Sequence, residues 1–338
     1  GELPVLLADA MLEAGRPAGS FADNPQPSAD LPSRRVSRHH AWVQVMTGCT
    51  NFCSYCIVPH VRGPERSRPP GEVAEEVRRL VDDGVVEITL LGQNVNAYGQ
   101  DQSFETGFDG LLEVLNGVEG IERIRFTTSH PKDLDESLIT AIRDLPAVCE
   151  HLHLPAQSGS TKILGRMNRS YTREHYLGLV DRLCGAIPGL ALTTDLIVGF
   201  PGEQEEDFNR TLTLVERCRF DGAFTFRHSP RPGTAAAGMP GVVPEVTIKR
   251  RMRELVQAVQ ETAAEKNDAL AGTCQEVMVE GDSRQGGGQI RGRTRGNKIV
   301  NFLTPGGVQP PPGEIVMVEI SSSTSTTLKG QMRPRQKA

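Results

Sequence analysis

The sequence has no stretch approaching the roughly 20 uninterrupted apolar residues that a membrane-spanning helix requires. Its first residues, GELPVLLADAMLEAG, also lack the basic flank of a secretory signal, which points to the cytoplasm and away from a membrane. Cysteine is sparse and odd in number. Three of the seven crowd into one short loop, whereas Cys149, Cys184, Cys218 and Cys274 are scattered, and none precedes Cys49. That distribution excludes a disulfide framework and suits a metal site in a reducing compartment. The scattered four are expected to be buried, inert thiols. Charge of one sign is lacking too. A net charge of -5 excludes indiscriminate nucleic-acid binding, and aromatic residues make up only 5%, with a single Trp.

What is present, 338 residues with 38% hydrophobic, is enough for two buried cores. Residues 15–33 are rich in Pro, Gly, Ser and Ala and read as a linker after a short apolar stretch left over from something upstream. Short apolar runs then predict strands near 42–46, 85–91, 121–127, 149–154, 191–198 and 222–226. Between them, helical periodicity predicts helices over 72–82, 110–115, 135–143, 172–184 and 205–218. In the first, Val73, Val77, Leu80 and Val81 recur on one face.

Alternating strands and helices predict parallel pairing, right-handed crossovers and an incomplete α/β barrel of about six units, with its chemistry in the loops at the C-terminal strand ends. A long helix near 247–270 closes this region. Beyond Gly272 the runs QEVMVEG, QIRGRT, NKIVNF and GEIVMVEI predict a small all-β barrel of oligonucleotide-binding (OB) character. From Asn267 onward nine Arg and Lys stand against six Asp and Glu, which suggests an anionic partner for that unit.

The segment GCTNFCSYCIVPH follows the first strand, at the expected barrel mouth. Spacings of three and two residues allow Cys49, Cys53 and Cys56 to wrap one 4Fe-4S cluster and leave the fourth iron without a protein ligand. Such an iron can chelate the amino and carboxylate groups of S-adenosylmethionine (SAM), and an electron passed through it can cleave the sulfonium bond. On this reading no protein side chain is itself catalytic. A structural zinc site is the competing account, with His60 the only nearby fourth ligand.

The later strands end in LLGQNVN, TTSHPKD, LHLPAQSGS and TDLIVGFPGE, polar runs that a barrel brings to the same rim. Gln93 and Asn94 are candidates for the SAM amino or carboxylate groups, Gln157 and Ser158 for its ribose or methionine part, and Asp195 for support. Ser129 joins them from TTSHPKD. Tyr55, between two of the cysteines, would lie over the adenine, unless it is a packing aromatic. Arg62, Arg66, Arg68, Arg227 and Arg231 fall around the same rim, where they would neutralise phosphates or simply be solvated.

Taken together, GCTNFCSYCIVPHVRGPERSRP, LLGQNVNAYG, TSHP, LPAQSGSTKILGRMNRSYT, TDLIVGFPGEQEEDF and SPRPGTAAA resemble the radical SAM methylthiotransferases, and among them the MiaB family. The resemblance runs from about His40 to the end, where GRTRGNKIVNF is similar to the family's RNA-binding TRAM domain. His60 and Val61 stand where that family usually has Tyr and Thr. The resemblance implies a remnant of an N-terminal domain over 1–33, a radical SAM core over 34–266 and TRAM over 267–338.

It further implies conversion of N6-isopentenyladenosine beside the anticodon of tRNA to its 2-methylthio derivative, with Arg62, Arg227, Arg231, Arg291, Arg293, Arg295 and Lys298 meeting RNA. A reductase or ferredoxin-type electron donor and a sulfur donor would be partners. In that family a second, auxiliary cluster is held by three cysteines of the N-terminal domain; without ligands for it, this chain would cleave SAM but not complete methylthiolation. Modification of a ribosomal-protein aspartate, or an RNA-binding module with a structural metal, are the alternatives the motifs leave open.

Overall fold

The structure is a computed structural model that describes Arg35 and residues 37–101, 105–284, 286–307 and 309–334. The expected remnant and linker over 1–33 lie outside the described residues. Six parallel strands form the first unit: β1 (His40–Gln44), β4 (Glu87–Leu91), β5 (Arg123–Phe126), β6 (His151–His153), β7 (Ala191–Val198) and β8 (Gly222–Arg227). A short antiparallel pair, β2 (Met46–Thr47) and β3 (Arg66–Ser67), brackets the cysteine loop.

The strands β1, β4 and β5 pair in parallel, as do β6, β7 and β8, and an Ile124–Val148 bridge joins the two halves. The order is that of an incomplete barrel whose edge strands, β1 and β8, are not paired with each other.

Alternation along the strands sorts the side chains. Ala41, Val43, Ile88, Leu90, Ile124 and Phe126 join the main apolar core against the helices. His40, Trp42, Glu87, Thr89 and Arg125 therefore face the other way, into the lumen. The short α1 (Val58–Arg62) belongs to the cysteine loop and buries no residue; outside pack α2 (Pro70–Asp82), α3 (Phe108–Asn116), α4 (Glu136–Asp144), α5 (Thr161–Arg166), α6 (Arg173–Ala186) and α7 (Glu205–Cys218).

Their starts follow local chemistry. Asp135 and Thr172 accept hydrogen bonds from the Leu138 and His175 amides, and Gln204 forms a capping box with Asp207. On α2, Val73, Ala74 and Val77 are buried, with Leu80 and Val81 packed beside them, as the periodicity predicts.

The helix α8 (Glu245–Asp268) leads into a closed five-stranded barrel of β9 (Cys274–Asp282), β10 (Ile290–Thr294), β11 (Ile299–Leu303), β12 (Ile315–Ser323) and β13 (Thr327–Met332), ordered β10-β11-β13-β12-β9. Closure removes free strand edges and encloses a separate core that includes Val277, Val300, Phe302, Val318 and Leu328. The sequence reading missed α5 and β13, besides the five-residue α1 and the two-residue β3. The helix α5 is a six-residue turn opened by Ser160, and β13, TLKGQM, is too polar to read as a strand.

The small barrel docks against the N-terminal ends of the parallel strands. Arg123 donates to the Arg293 carbonyl at 2.8 Å and to Glu276 at 2.8 Å. Arg125 donates to the carbonyls of Arg295 and Thr294 at 2.7 and 2.8 Å. Arg295 in turn forks onto Glu150 at 2.8 and 2.9 Å and reaches the Val148 carbonyl. The cysteine loop lies at the opposite end of the strands, so chemistry and small barrel are separated by the length of the parallel sheet. An eight-residue strand such as β7 spans about 26 Å.

Candidate cofactor site at the barrel mouth

The loop that carries the cysteines is pinned at both ends. Met46 and Thr47 pair with Ser67 and Arg66, and the Cys49 amide donates to the Gly63 carbonyl at 3.1 Å. Gly48, at φ 78°, makes the turn into the loop, and a Cβ there would overlap the Pro64 carbonyl. The Cys56 amide closes a turn on the Cys53 carbonyl at 2.9 Å. From the other side, the segment after α5 holds the loop: the Ser54 amide and hydroxyl donate to the Met167 and Arg166 carbonyls, and Asn168 donates to the Phe52 carbonyl at 2.8 Å.

All three thiols are free and partly buried. Burial pushes the Cys49 thiol up, partly offset by hydrogen bonds from Asn51, and burial likewise pushes Cys56 up, against the charges of Arg231 and Arg169. Two donors aim at sulfur: Asn51 Nδ2 at 3.4 Å from Cys49 Sγ and Arg169 Nη1 at 3.3 Å from Cys53 Sγ. Among the described residues no three His, Cys, Asp or Glu side chains converge as ligands of a single metal ion. His60 is exposed and sets its ring against Phe52. A closed zinc site needs convergence on one point, whereas three thiolates around a cube need only border a common space. The donor set therefore fits the cluster.

Beside the loop, the rim carries polar atoms without partners. Gln93 Oε1, Asn94 Oδ1 and Ser129 Oγ are buried and make no hydrogen bond. Buried oxygens left unpaired are costly, of order 1–3 kcal/mol each, unless a ligand satisfies them. Asn94 also donates to Asp133 at 2.8 Å, which fixes its orientation. These three fit a zwitterionic, hydroxyl-bearing cofactor such as SAM.

Gln157 sits after β6 at φ 65°, its amide bonded to the Asp195 carbonyl, and the adjacent Ser158 is buried. Asp195 stands 3.4 Å from His153 Nε2, lower in the lumen. Tyr55 packs its ring 6.3 Å from Phe200, beside the cluster of Ile163, Met167 and Ile197.

Comparison with known proteins agrees with this geometry. The radical SAM superfamily matches residues 43–215 and the TRAM domain matches 269–332. The tRNA-2-methylthio-N(6)-dimethylallyladenosine synthase of Moorella thermoacetica is 53% identical over 90% of this chain and 68% of its own length. Enzymes of the same name from Thermoanaerobacter pseudethanolicus and Acetivibrio thermocellus are 47% and 49% identical, each over 98% of this chain and over 70% and 68% of theirs. The chain belongs to this family of radical SAM proteins. In fold it is similar to coproporphyrinogen III oxidase (HemN) from Escherichia coli, at TM-score 0.51 and 15% identity over 68% of this chain and 54% of that one.

Family membership does not bring all the expected RNA-facing cations together. Arg62 and Arg231 are exposed at the mouth, as is Arg227, which pairs with Glu245 at 3.1 Å. Arg291, Arg293, Arg295 and Lys298 belong to the small barrel at the far end. There Arg291 and Arg293 both pair with Glu280, Arg295 with Glu150, and Lys298 with Asp221. Of the other rim arginines, Arg68 is buried, donating to the Gln44 carbonyl and paired with Glu76 at 2.7 Å, so it serves structure.

Arg169, stacked on Tyr171 and aimed at Cys53, is the residue the sequence reading passed over. Its signal lay in MNRSYT, the short run between α5 and α6. The four scattered cysteines also divide. Cys149 and Cys218 are buried, but Cys184 and Cys274 are exposed. On α6 the core face is Tyr176, Leu179, Val180 and Leu183, and Cys184 falls just off it.

Proposed function

We propose that the chain is the catalytic core and RNA-binding part of a tRNA methylthiotransferase acting on N6-isopentenyladenosine, with residues 34–266 as the radical SAM core and 267–338 as the RNA-binding TRAM domain. Cys49, Cys53 and Cys56 hold the 4Fe-4S cluster, and the cluster with SAM supplies a radical able to abstract hydrogen from C2 of the base, a position unsuited to polar substitution. Gln93, Asn94 and Ser129 bind the polar groups of SAM, with Gln157 and Ser158 beside them and Asp195 in support. Tyr55 closes over the adenine side.

Arg169 donates to the Cys53 sulfur and, with Asn51 on Cys49, raises the ease of reduction of the bound cluster. Arg62, Arg227 and Arg231 meet phosphates of the anticodon loop. A reductase or ferredoxin-type protein delivers the electron and a separate donor the sulfur, in the cytoplasm.

The observation that carries this reading is the meeting of three free thiols with three orphaned rim oxygens at the mouth of one incomplete barrel. Its test is anaerobic reconstitution of the protein and of a Cys49, Cys53, Cys56 triple alanine variant. About four irons per chain, absent from the variant, together with cysteine-dependent cleavage of SAM, are expected. Stoichiometric zinc without iron would overturn the cofactor assignment. Binding of ribosomal protein in preference to an isopentenylated anticodon stem-loop would overturn the substrate.

A further inference from the structure

Aromatic residues are few, and most of those described are buried. Among the described residues the exposed aromatic rings are Phe52, Trp42, Phe224 and Phe226, and the last three share one feature. Trp42 lies on β1 and Phe224 and Phe226 on β8, the two edge strands flanking the gap in the barrel. They are 60%, 64% and 49% exposed.

All three point to the concave side. Trp42 alternates with core residues Ala41 and Val43, meets the His40 ring at 5.0 Å, and lines a cavity of about 890 Å³ that runs from Thr89, Arg125 and His151 in the lumen to Glu280, Arg291 and Arg293 of the small barrel. Phe224 meets the His153 ring at 6.0 Å across the lumen and lines a second cavity of about 500 Å³ between β8, α8 and the small barrel, which shares His151, Arg293 and Asn297 with the first. Phe226 follows two residues on, hence on the same face.

The surroundings say what such rings would meet. An apolar helix or peptide laid into the gap would strip water from the Asp195 carboxylate, 24% exposed beside His153, and offer it no donor. A flat heterocycle with a polar edge avoids that cost, its face stacking on the rings and its edge reaching the polar lumen. The cavity volumes fall within the range of small-ligand sites. The gap also opens toward the mouth at the C-terminal strand ends, where the three cysteines lie.

We propose that Trp42, Phe224 and Phe226 form the stacking surface that receives the unpaired N6-substituted adenine through the open side of the barrel. The inference rests on the tRNA reading above and adds the residues that seat the base.

Trp42 is the only tryptophan in the sequence, so its emission reports the event directly. The full chain is titrated with an anticodon-loop RNA carrying N6-isopentenyladenosine while fluorescence and, separately, filter retention are read. Saturable quenching of Trp42 is expected. Trp42→Leu and Phe224→Leu, which keep apolar bulk but remove the ring face, should each weaken retention about fivefold or more, whereas Trp42→Phe should stay near the parent. Circular dichroism of each variant confirms folding. Retention of RNA with unchanged emission, or with undiminished affinity in both leucine variants, overturns the stacking surface alone. No retention by the parent protein overturns the tRNA reading, and the stacking surface with it.

Discussion

Replacing Arg125 by Leu should loosen the junction between the two units. The side chain is only 5% exposed, its Nε stands 3.0 Å from Glu87 Oε2, and its other nitrogens donate to the carbonyls of Arg295 and Thr294. The Glu87 contact lacks the alignment of a hydrogen bond, so its contribution is chiefly one of charge. Without Arg125 the Glu87 carboxylate, itself 3% exposed, keeps Arg123 at 3.9 Å as its nearest remaining cation. The Arg295 carbonyl also loses its donor, whereas the Thr294 carbonyl keeps the Asn297 amide at 3.0 Å.

Breaking a buried pair typically costs about 3–5 kcal/mol, and the remaining Arg123 places this case near the lower end. The one orphaned carbonyl adds about 1 kcal/mol. A loss of roughly 4 kcal/mol is therefore expected, a large part of a typical domain stability of about 5–15 kcal/mol. Urea unfolding followed by Trp42 emission reads the parallel barrel, and far-ultraviolet circular dichroism reads the whole chain. Removing both charges, Arg125→Leu with Glu87→Leu, should recover part of the loss, because no uncompensated charge is left buried. A single variant within about 1 kcal/mol of the parent, or a double variant more damaged than the single, would refute this account.

Arg169→Met removes the donor to Cys53 Sγ and should lower the reduction potential of the reconstituted cluster, measured by spectroscopic titration, without loss of iron. Gly48→Ala should abolish iron retention while leaving the helical circular dichroism intact, since the new Cβ overlaps the Pro64 carbonyl in a left-handed turn. Acid should destabilise the fold well above the carboxylate range. Burial drives His151 down to about 3, so between pH 6.5 and 3 the unfolded chain binds a proton that the folded chain refuses. Stability is then complete above pH 6.5 and falls as pH drops, by about 2 kcal/mol at pH 5 from this residue; a His151→Gln variant should lose that slope in denaturation curves taken from pH 7 to 5.

The parallel barrel was legible because its strands are apolar, its helices show a clean 3.6-residue face, and its loops carry uncommon motifs. The cysteine loop was the clearest of these, since ligand chemistry constrains residue type and spacing together. Tertiary partners were less visible. Nothing local in TLKGQM marks a strand; β13 exists because β11 and β12 both offer it an edge. The cations of the small barrel read as an RNA face because a sequence gives charge without its neighbours. Arg295 and Lys298 acquire Glu150 and Asp221 only when the two units meet.

That junction constrains how RNA can lie on the molecule. The small barrel covers the N-terminal strand ends, and the cysteines occupy the C-terminal ends about one strand length away, roughly 26 Å for β7. The reacting base alone cannot touch both. A hairpin laid along the gap between β1 and β8 can present its loop to the mouth, where Arg62 and Arg231 are exposed, and its stem to the small barrel, where Arg284 and Lys329 are exposed. On that path Trp42, Phe224 and Phe226 lie between the two contacts. On the tRNA reading proposed above, the TRAM domain would grip the stem at a distance, through phosphates, and discrimination among bases would be left to the lumen, because phosphate contacts position and base contacts specify.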